Sequence, residues 1–389
     1  MSFDITGDIS NNPLKRVTPD MKKLLKREDI LFDIHCHVFN YKDVPDKFIG
    51  IRLPFNRVFL LKAERLLHRL INRSDEDKYS NLAWFIHYFK NSSPSEIISS
   101  LVDSYSDRSV VLCPLMMDFA YAINGKIIDD YQLQIEKLKA LRNLLPDRIL
   151  PFFAADPNNP GLLENFIRVF SKNNEYNFFG VKIYPSLGYL PSNPRLMDIF
   201  GICEEKGIPV TAHCSGATVH TSKKFISGIQ GYYANKDKTF LNGPVTKVFI
   251  RKKNYGDFFN QPYNWVPVLK KFPNLRLNLA HFGGEEQWMK FIEGDRNSWV
   301  YDIISMIDEF DFLYTDFSYN MYNKLFLSKL KEVLISNKKL SKRVLYGSDY
   351  YMLLKEGQFN DMLTAFNSEM GELLIKKITR DNPKRFLFG

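Results

Sequence analysis

Apolar runs alternate with amphipathic stretches along most of this chain, from about residue 109 to its end. The runs have the length of β-strands and are bounded by Pro, Gly, Asp or Asn, whereas the stretches between them follow a helical period. Together with one run near the start, the predicted strands are 31–37, 109–117, 148–156, 178–185, 208–215, 275–283, 311–318 and 343–350.

Near-continuous apolar strands that alternate with helices are typical of a parallel sheet covered by helices. Eight such units predict an α/β fold, a closed (β/α)8 TIM barrel that forms a single domain over residues 1–389. An open doubly wound sheet is the alternative, but no GxGxxG motif follows any of the predicted strands.

Two connections are longer than such a fold normally uses. Residues 40–108 follow the first strand and contain helix-like patterns, so we predict a helical cap insertion there. Residues 215–261 follow the fifth strand as a basic loop insertion. Both leave from the C-terminal ends of strands, and this is the face of a barrel that carries active sites.

The formal charge of the chain is +9, and much of the excess lies in one segment. Residues 221–260 contain eight lysines and arginines against two aspartates. Such a segment is either a solvated surface loop or a region that attracts an anionic substrate. No zinc-finger spacing, RNP-like motif or helix-turn-helix pattern accompanies it, so we predict no nucleic-acid partner.

The chain shows no sign of a membrane or secretory segment. It has no run of about 20 apolar residues, and residues 1–16 lack the apolar core of a signal peptide. We therefore expect no membrane association and a cytoplasmic location. The four cysteines have no CxxC spacing and are expected to be free thiols, with Cys36 and Cys214 facing the helices.

Histidines and one aspartate fall at the predicted C-terminal ends of the strands. His35 and His37 end the first strand on one face, His213 ends the fifth, His281 the sixth, and Asp349 the eighth. In a barrel these side chains converge on one rim. Imidazoles with a carboxylate are ligands of zinc or a similar divalent metal, which can ionise a bound water near neutral pH. The pattern predicts hydrolytic metal chemistry.

The segments DIHCH, GVKIYP, VTAHCSG, FPNLRLNLAHFGG, LYGSDY and RDNPKRFLFG, in this order, resemble the amidohydrolase-2 branch of the amidohydrolase superfamily. The resemblance spans residues 31–38 and 109–389 and leaves both insertions outside. It implies a distorted (β/α)8 TIM barrel with a metal at its C-terminal mouth, held by His35, His37, His213 and Asp349. It also implies that His281 serves as acid or base beside the metal.

Lys182 leaves the number of metal ions open. In two-metal members of the superfamily a lysine on the fourth strand becomes a carbamate that bridges the ions. Lys182 could instead remain a cation that binds a substrate carboxylate, or it could form a structural ion pair. We expect a single ion, with zinc as the first choice, and a second ion if Lys182 is carbamylated. Tyr184 lies on the same strand face and is a candidate substrate contact.

The sequence therefore predicts a metal-dependent hydrolase that cleaves an amide, ester or lactone bond in a small, anionic substrate. Zinc-activated water would attack the carbonyl, and His281 or Asp349 would accept its proton. The alternative is a non-oxidative decarboxylase or a hydratase of an unsaturated or aromatic carboxylic acid. A binding protein without activity is the third reading, and homo-oligomerisation stays open.

Three further residues have weaker assignments from the sequence. His220 follows the fifth strand closely enough to contact a substrate. Asp316 ends the seventh strand, where it either orients a metal ligand or caps the segment that follows. Asp33, at the start of the HxH strand, is expected to be structural.

Overall fold

A computed structural model describes residues 9–45, 85–90, 92–106, 109–171, 178–216, 218–223, 226–227, 229–234, 247–248 and 254–389. Most of the predicted helical cap, including residues 46–84, lies outside the described residues. Residues 235–246 and 249–253 of the basic insertion also lie outside them, and these include Arg251, Lys252 and Lys253.

Eight parallel strands follow one another along the described chain, in the regions where the sequence predicts strands. A short antiparallel pair, β6 and β7, lies within the basic insertion. The strands are β1 (Leu31–Cys36), β2 (Val110–Pro114), β3 (Phe152–Ala154), β4 (Gly180–Ile183), β5 (Val210–Ser215), β6 (Ile226–Ser227), β7 (Lys247–Val248), β8 (Leu277–Gly283), β9 (Leu313–Asp316) and β10 (Val344–Leu345).

Strands β3, β4, β5, β8, β9 and β10 form one six-stranded parallel sheet in that order, and β1 pairs with β2. On one side the two sheets are joined by a backbone hydrogen bond from Leu150 N–H to the Leu112 carbonyl, at 2.9 Å. On the other side Asp349 N–H donates to the His35 carbonyl at 2.7 Å. Each of the eight parallel strands therefore neighbours the next, which agrees with the predicted barrel, and the weaker pairing at these two seams gives it a distorted form.

Helices connect the strands and cover them. They are α1 (Pro19–Leu24), α2 (Pro94–Ser104), α3 (Tyr131–Leu144), α4 (Leu162–Phe170), α5 (Pro194–Lys206), α6 (Tyr255–Asn260), α7 (Val266–Lys271), α8 (Glu285–Ile292), α9 (Trp299–Glu309), α10 (Lys324–Ser336), α11 (Phe359–Lys376) and α12 (Asn382–Phe388).

The helix ends follow ordinary capping chemistry. Helix α2 begins with a capping box, in which the Ser93 and Glu96 side chains each bind the other's backbone N–H. Helix α5 ends at Gly207, whose φ of 59° is the left-handed conformation that favours glycine. Residues 85–90 are also helical, so the described part of the predicted cap contains helix.

The apolar core has two principal layers. The larger lies between strands and helices and contains alternate strand residues such as Val181, Ala212 and Cys214. The smaller fills the lower half of the barrel interior and includes Phe152 and Tyr314. The inward positions above it are polar, so the interior changes from hydrocarbon to hydrogen-bonding groups toward the C-terminal strand ends.

The cysteines agree with expectation, because all four are buried free thiols. Cys36 and Cys214 belong to the outer core layer, as predicted from strand alternation. Among the described residues, no helix is both long enough and apolar enough to cross a membrane.

Candidate metal centre

His35, His37 and Asp349 form a buried group at the C-terminal end of β1. Nε2 of His37 lies 3.2 Å from Oδ1 of Asp349, and Nε2 of His35 lies 3.8 Å from the same oxygen. One ligand atom from each of the three lies within 4.8 Å of the others, which fits a single ion. The sequence prediction therefore brought together three side chains that are adjacent in the structure.

Two atoms of this group are buried without a hydrogen bond. Nε2 of His35 makes no hydrogen bond among the described residues, and the 3.2 Å contact between Oδ1 of Asp349 and Nε2 of His37 lacks the geometry of one. Leaving buried polar atoms unpaired is costly, and native structures satisfy most of them. A divalent cation would satisfy both atoms, so the residues present fit a metal ion.

Asp349 lies in a turn beyond β10, whereas the sequence placed it at the end of a strand. The strand ends at Leu345, and Asp349 has a φ of 54°, which is outside the extended region. A residue with this φ cannot continue a strand, and the turn directs the carboxylate toward β1. Asp349 lies near His35 and His37, as predicted, but the predicted eighth strand, 343–350, is longer than β10.

Asp33 connects β1 to the turn that carries Asp349. Its Oδ1 accepts from the backbone N–H groups of His35, at 3.2 Å, and Ser348, at 2.9 Å. Its Oδ2 accepts from the hydroxyls of Ser348, at 2.5 Å, and Tyr105, at 2.8 Å. Burial raises the pKa of Asp33 to about 6, although these hydrogen bonds oppose the rise. Asp33 thus holds two metal-site segments together.

Asp316 orients His35 from the opposite side. Oδ2 of Asp316 lies 3.2 Å from Nδ1 of His35 and accepts a hydrogen bond of 2.7 Å from the Asn278 amide. Burial alone would raise the pKa of Asp316, but His35 and then His281 hold it well below its usual range. Burial lowers the pKa of His35 to about 3 despite Asp316. A neutral His35 that donates from Nδ1 presents the Nε2 lone pair to a metal.

His35, His281 and Asp316 form a second group of possible ligand atoms within 4.8 Å. This group suits an ion less well, because both Asp316 oxygens already accept hydrogen bonds. Oδ1 accepts from the N–H of His281 at 3.0 Å and of Ser318 at 3.1 Å. We therefore regard Asp316 as a positioning residue, in agreement with one of its two sequence interpretations.

His281 is positioned as a base beside the first group. Its Nδ1 lies 2.9 Å from the Ser318 hydroxyl, which itself donates to Asp316 at 2.5 Å. Ser318 has one hydroxyl proton, so it accepts from Nδ1–H of His281 and leaves Nε2 as the acceptor. Burial lowers the pKa of His281, and Asp349 and Asp316 oppose the change.

His213 lies next to His281 rather than within the three-residue group. Its Nδ1 is 3.1 Å from Nε2 of His281, and its Nε2 is 2.7 Å from the Thr218 hydroxyl. Thr218 also contacts the Tyr184 hydroxyl at 2.5 Å. Both ring nitrogens of His213 thus have protein partners, and burial lowers its pKa well below the usual value.

Lys182 is a buried cation in the floor of the site. Its ammonium nitrogen has no hydrogen-bond partner among the described residues and lies 5.9 Å from the centre of the Tyr184 ring. Burial lowers the pKa of Lys182 to about 8, while Asp316 and Asp349 oppose the shift. The structural ion pair that the sequence left open does not occur among the described residues.

A cavity of about 550 Å³ opens above these residues, a volume suited to a small molecule. His37, Lys182, Tyr184, His213, His281 and Asp349 all line it. Aromatic and thioether side chains form much of the wall, and Lys355, Glu285 and Glu356 lie at its margin. His220 is not among its lining residues; its Nδ1 is instead 3.1 Å from the Thr221 carbonyl.

Ser318 and Thr218 are site residues that the sequence reading missed. Thr218 lies three residues beyond the predicted fifth strand and Ser318 is the last residue of the predicted seventh strand, so proximity to His213 and Asp316 was the available signal. Tyr105 and Asn278 carried no comparable signal, because their role depends on which elements pack together.

A parallel eight-stranded barrel with histidines and aspartates gathered at its C-terminal mouth is a TIM barrel with a candidate metal site. Within this class, the sequence model of the amidohydrolase family matches residues 136–389, and the chain belongs to that family. The match includes Lys182, His213, His281 and Asp349. The match begins after β1 and does not include His35 and His37, so their position beside Asp349 is known from the structure alone.

Solved structures show the same fold at low sequence identity. An uncharacterised TIM-barrel protein from Bordetella bronchiseptica is 15% identical, with a TM-score of 0.55, over 92% of this chain and 98% of that one. A probable 2-pyrone-4,6-dicarboxylic acid hydrolase from Acinetobacter baumannii, with citric acid bound, is 14% identical, with a TM-score of 0.52, over 92% and 99%.

A third structure is 5-carboxyvanillate decarboxylase from Novosphingobium aromaticivorans, with bound manganese and 3-methoxy-4-hydroxy-5-nitrobenzoic acid. It is 13% identical, with a TM-score of 0.51, over 92% of this chain and 97% of that one. At these identities the likeness shows the fold alone. No curated protein sequence matches the chain.

Proposed function

We propose that this protein is a metal-dependent hydrolase that cleaves an amide, ester or lactone bond in a small, anionic substrate. The observation that carries the proposal is a pair of buried atoms that make no hydrogen bond of normal geometry among the described residues, His35 Nε2 and Asp349 Oδ1, beside a ligand-sized cavity that His37 and Asp349 line. These atoms, with His37, offer nitrogen and oxygen ligands of the kind that divalent metals bind.

His35, His37 and Asp349 would hold the ion, and His213 is proposed as the fourth ligand. Both ring nitrogens of His213 now have protein partners, so binding an ion would require one of them to give up its contact with His281 or Thr218. Zinc is the first choice for a site of histidines and a carboxylate, and manganese in the related decarboxylase keeps that ion in consideration. The ion would supply a Lewis acid that polarises a carbonyl and makes water more acidic.

His281 is proposed as the proton acceptor. Ser318 and Asp316 fix its proton on Nδ1, so Nε2 is the acceptor nitrogen and would take a proton from water in place of its contact with Nδ1 of His213, at 3.1 Å. A lowered pKa keeps the imidazole neutral at pH 7, as a general base requires. Asp349 is the alternative acceptor, although as a metal ligand its carboxylate would be a weaker base.

Lys182 and Tyr184 are proposed to contact the substrate. An ammonium group without an acidic partner at the cavity wall is a suitable site for a substrate carboxylate. A pKa of about 8 also leaves about one molecule in ten with a neutral amine at pH 7. That fraction could react with carbon dioxide, so a carbamate on Lys182 and a second ion remain the alternative arrangement.

Non-oxidative decarboxylation of an aromatic or unsaturated acid is the second candidate, with hydration as its variant. The aromatic wall formed by Phe39, Phe119 and Tyr184 favours it, because a flat unsaturated acid could pack there with its carboxylate near Lys182. The related decarboxylase binds a nitrobenzoic acid, which adds support.

Metal analysis tests the site. The purified protein should contain about one equivalent of divalent metal, and His35→Ala combined with His37→Ala should remove it because two of its ligands are lost. His213→Ala should weaken binding less, because the three-residue group stays assembled. Full metal content in the double variant would refute the site, and His87→Ala, an exposed change, is the control.

The two reactions are separated by their products. A panel of lactones, esters, amides and aromatic acids should be incubated in H₂¹⁸O, with product mass and released carbon dioxide measured. Hydrolysis incorporates ¹⁸O into a new carboxyl group, whereas decarboxylation releases carbon dioxide. Carbon dioxide release without ¹⁸O incorporation would replace the hydrolase proposal by the second candidate.

A further inference from the structure

A group of arginines lies at the opposite end of the barrel from the metal centre. Arg276 directly precedes β8 and Arg343 directly precedes β10, so both lie at N-terminal strand ends. Arg16 comes from the segment before α1, and Arg385 lies in α12. These four arginines and the Tyr314 phenol in β9 are called the basal arginine cluster below.

Their side chains converge through shared contacts. Arg16 and Arg276 both donate to the carbonyl of Gly207, the former at 2.7 Å. The guanidinium carbon of Arg343 lies 5.1 Å from the centre of the Tyr314 ring. Arg343, Arg276 and Arg385 all act to lower the pKa of Tyr314, against the rise that burial causes. The four guanidinium groups therefore border a common region around Gly207 and Tyr314.

No acidic side chain among the described residues forms an ion pair with this cluster, although the terminal carboxylate of Gly389 lies close to Arg276. Nε of Arg16 and of Arg343 is buried without a hydrogen-bond acceptor among the same residues. Burial, and then Arg276, lowers the pKa of Arg16 to about 9. The charge of Arg343 contributes to lowering the pKa of Asp311. This aspartate is exposed to solvent, however, and its ion pair is with Lys339, at 2.9 Å.

We propose that the basal arginine cluster binds a phosphate-type oxyanion, either free or as the phosphate group of a small molecule. Guanidinium groups match phosphate oxygens with paired N–H donors, and such charge-assisted hydrogen bonds are the strong ones. Arg16, Arg343 and Arg385 are only partly buried, which leaves access from solvent. Binding would connect the N-terminal segment, two strand starts and α12.

The basal arginine cluster lies far from the metal centre, so we expect an anion bound there to change the stability of the protein first. An anion that binds only the folded protein raises its melting temperature in proportion to ln(1 + [L]/Kd). Inorganic phosphate, pyrophosphate and AMP should each be titrated into the purified protein at constant ionic strength, with acetate as the carboxylate control. We expect a rise of several degrees for the phosphates and none for acetate, with about one phosphate bound by calorimetry.

The variants are Arg343→Gln, Arg385→Gln and their combination, which change partly exposed side chains. Each should weaken phosphate binding at least about tenfold, since a charged hydrogen bond is lost. Arg296→Gln is the matched control, because Arg296 stacks on Tyr301 at 4.8 Å outside the cluster. Lys182→Met should keep the effect, because it changes the proposed substrate site.

Tighter binding of AMP than of phosphate would identify a phosphomonoester as the ligand, and the reverse would identify free phosphate. Equal stabilisation of the double variant and the parent would overturn the proposal. A dissociation constant above about 10 mM would mean an adventitious ion only, and it would overturn the proposal as well. Stabilisation that vanished in Lys182→Met but not in the arginine variants would assign the anion to the cavity instead.

Discussion

Replacing Lys182 by methionine should stabilise the metal-free protein while it damages activity. Lys182 is 2% exposed, and its ammonium group has no hydrogen-bond partner among the described residues. Methionine has a similar length and no charge. The substitution therefore tests whether a buried cation is kept for function at the expense of stability.

The magnitude follows from the pKa. Burial lowers the pKa of Lys182 from 10.5 to about 8, which corresponds to roughly 3 kcal/mol between the two protonation states. Between pH 8 and 10.5 the unfolded chain binds this proton and the folded chain does not, so stability rises with pH. Below pH 8 Lys182 is charged in both states, so the folded protein carries the full free-energy cost of burying its ammonium group. The unfolding free energy of Lys182→Met should therefore exceed that of the parent by about 1–3 kcal/mol at pH 7. The variant should also lack the increase in stability that the parent shows between pH 8 and 10.5.

The assay is urea denaturation of EDTA-treated parent and variant at pH 7, 8.5 and 10, with kcat/KM measured on the metal-loaded proteins. Lys290→Met is the control, because Lys290 is partly exposed in a surface ion pair with Glu286 and its loss should change stability by less than about 1 kcal/mol. A Lys182→Met protein that is several kcal/mol less stable than the parent at pH 7 would refute the reasoning. It would mean that Lys182 has a structural anionic partner or is itself modified.

Two further predictions concern the residues around the ion. His281→Gln should retain the metal but lower kcat by about 10²–10⁴-fold, because it removes the proton acceptor and no ligand; equal loss of metal and activity would show that His281 is a ligand. Asp33→Ala should lower the unfolding free energy by about 3 kcal/mol and the metal affinity by about 10–100-fold, since it frees the groups that hold His35 and Ser348 in place. Circular dichroism melting and metal titration measure these effects, and Asp295→Asn, a change at a half-buried residue outside the site that keeps the oxygen acceptor, should alter neither.

The sequence determined the architecture and the main polar residues of the site. Strand-length apolar runs that alternate with helical periods specify a parallel sheet covered by helices, because each face must be buried. The polar residues that interrupt these runs then lie at the C-terminal strand ends. This reasoning brought His35, His37 and Asp349 together without any knowledge of contacts.

Only the tertiary structure decided which atoms of these residues meet. The backbone at Asp349 leaves the strand with a φ of 54°, and His281 has a φ of 66°, so neither follows the extended geometry that alternation assumes. Partners such as Tyr105 and Asn278 come from other elements, and their hydrogen bonds depend on packing. His213 belongs to the same rim, but its hydrogen bonds to Thr218 and His281 could not be inferred from spacing.

The basal arginine cluster shows the same division at the other end of the barrel. Arg16, Arg276, Arg343 and Arg385 are far apart along the chain and form no motif. Their convergence follows from the barrel, since the starts of parallel strands meet at one end and the chain's terminal segments pack beneath them. Local periodicity determines which side chains a strand or helix turns inward, whereas long-range packing determines the neighbours and charges that each of them meets.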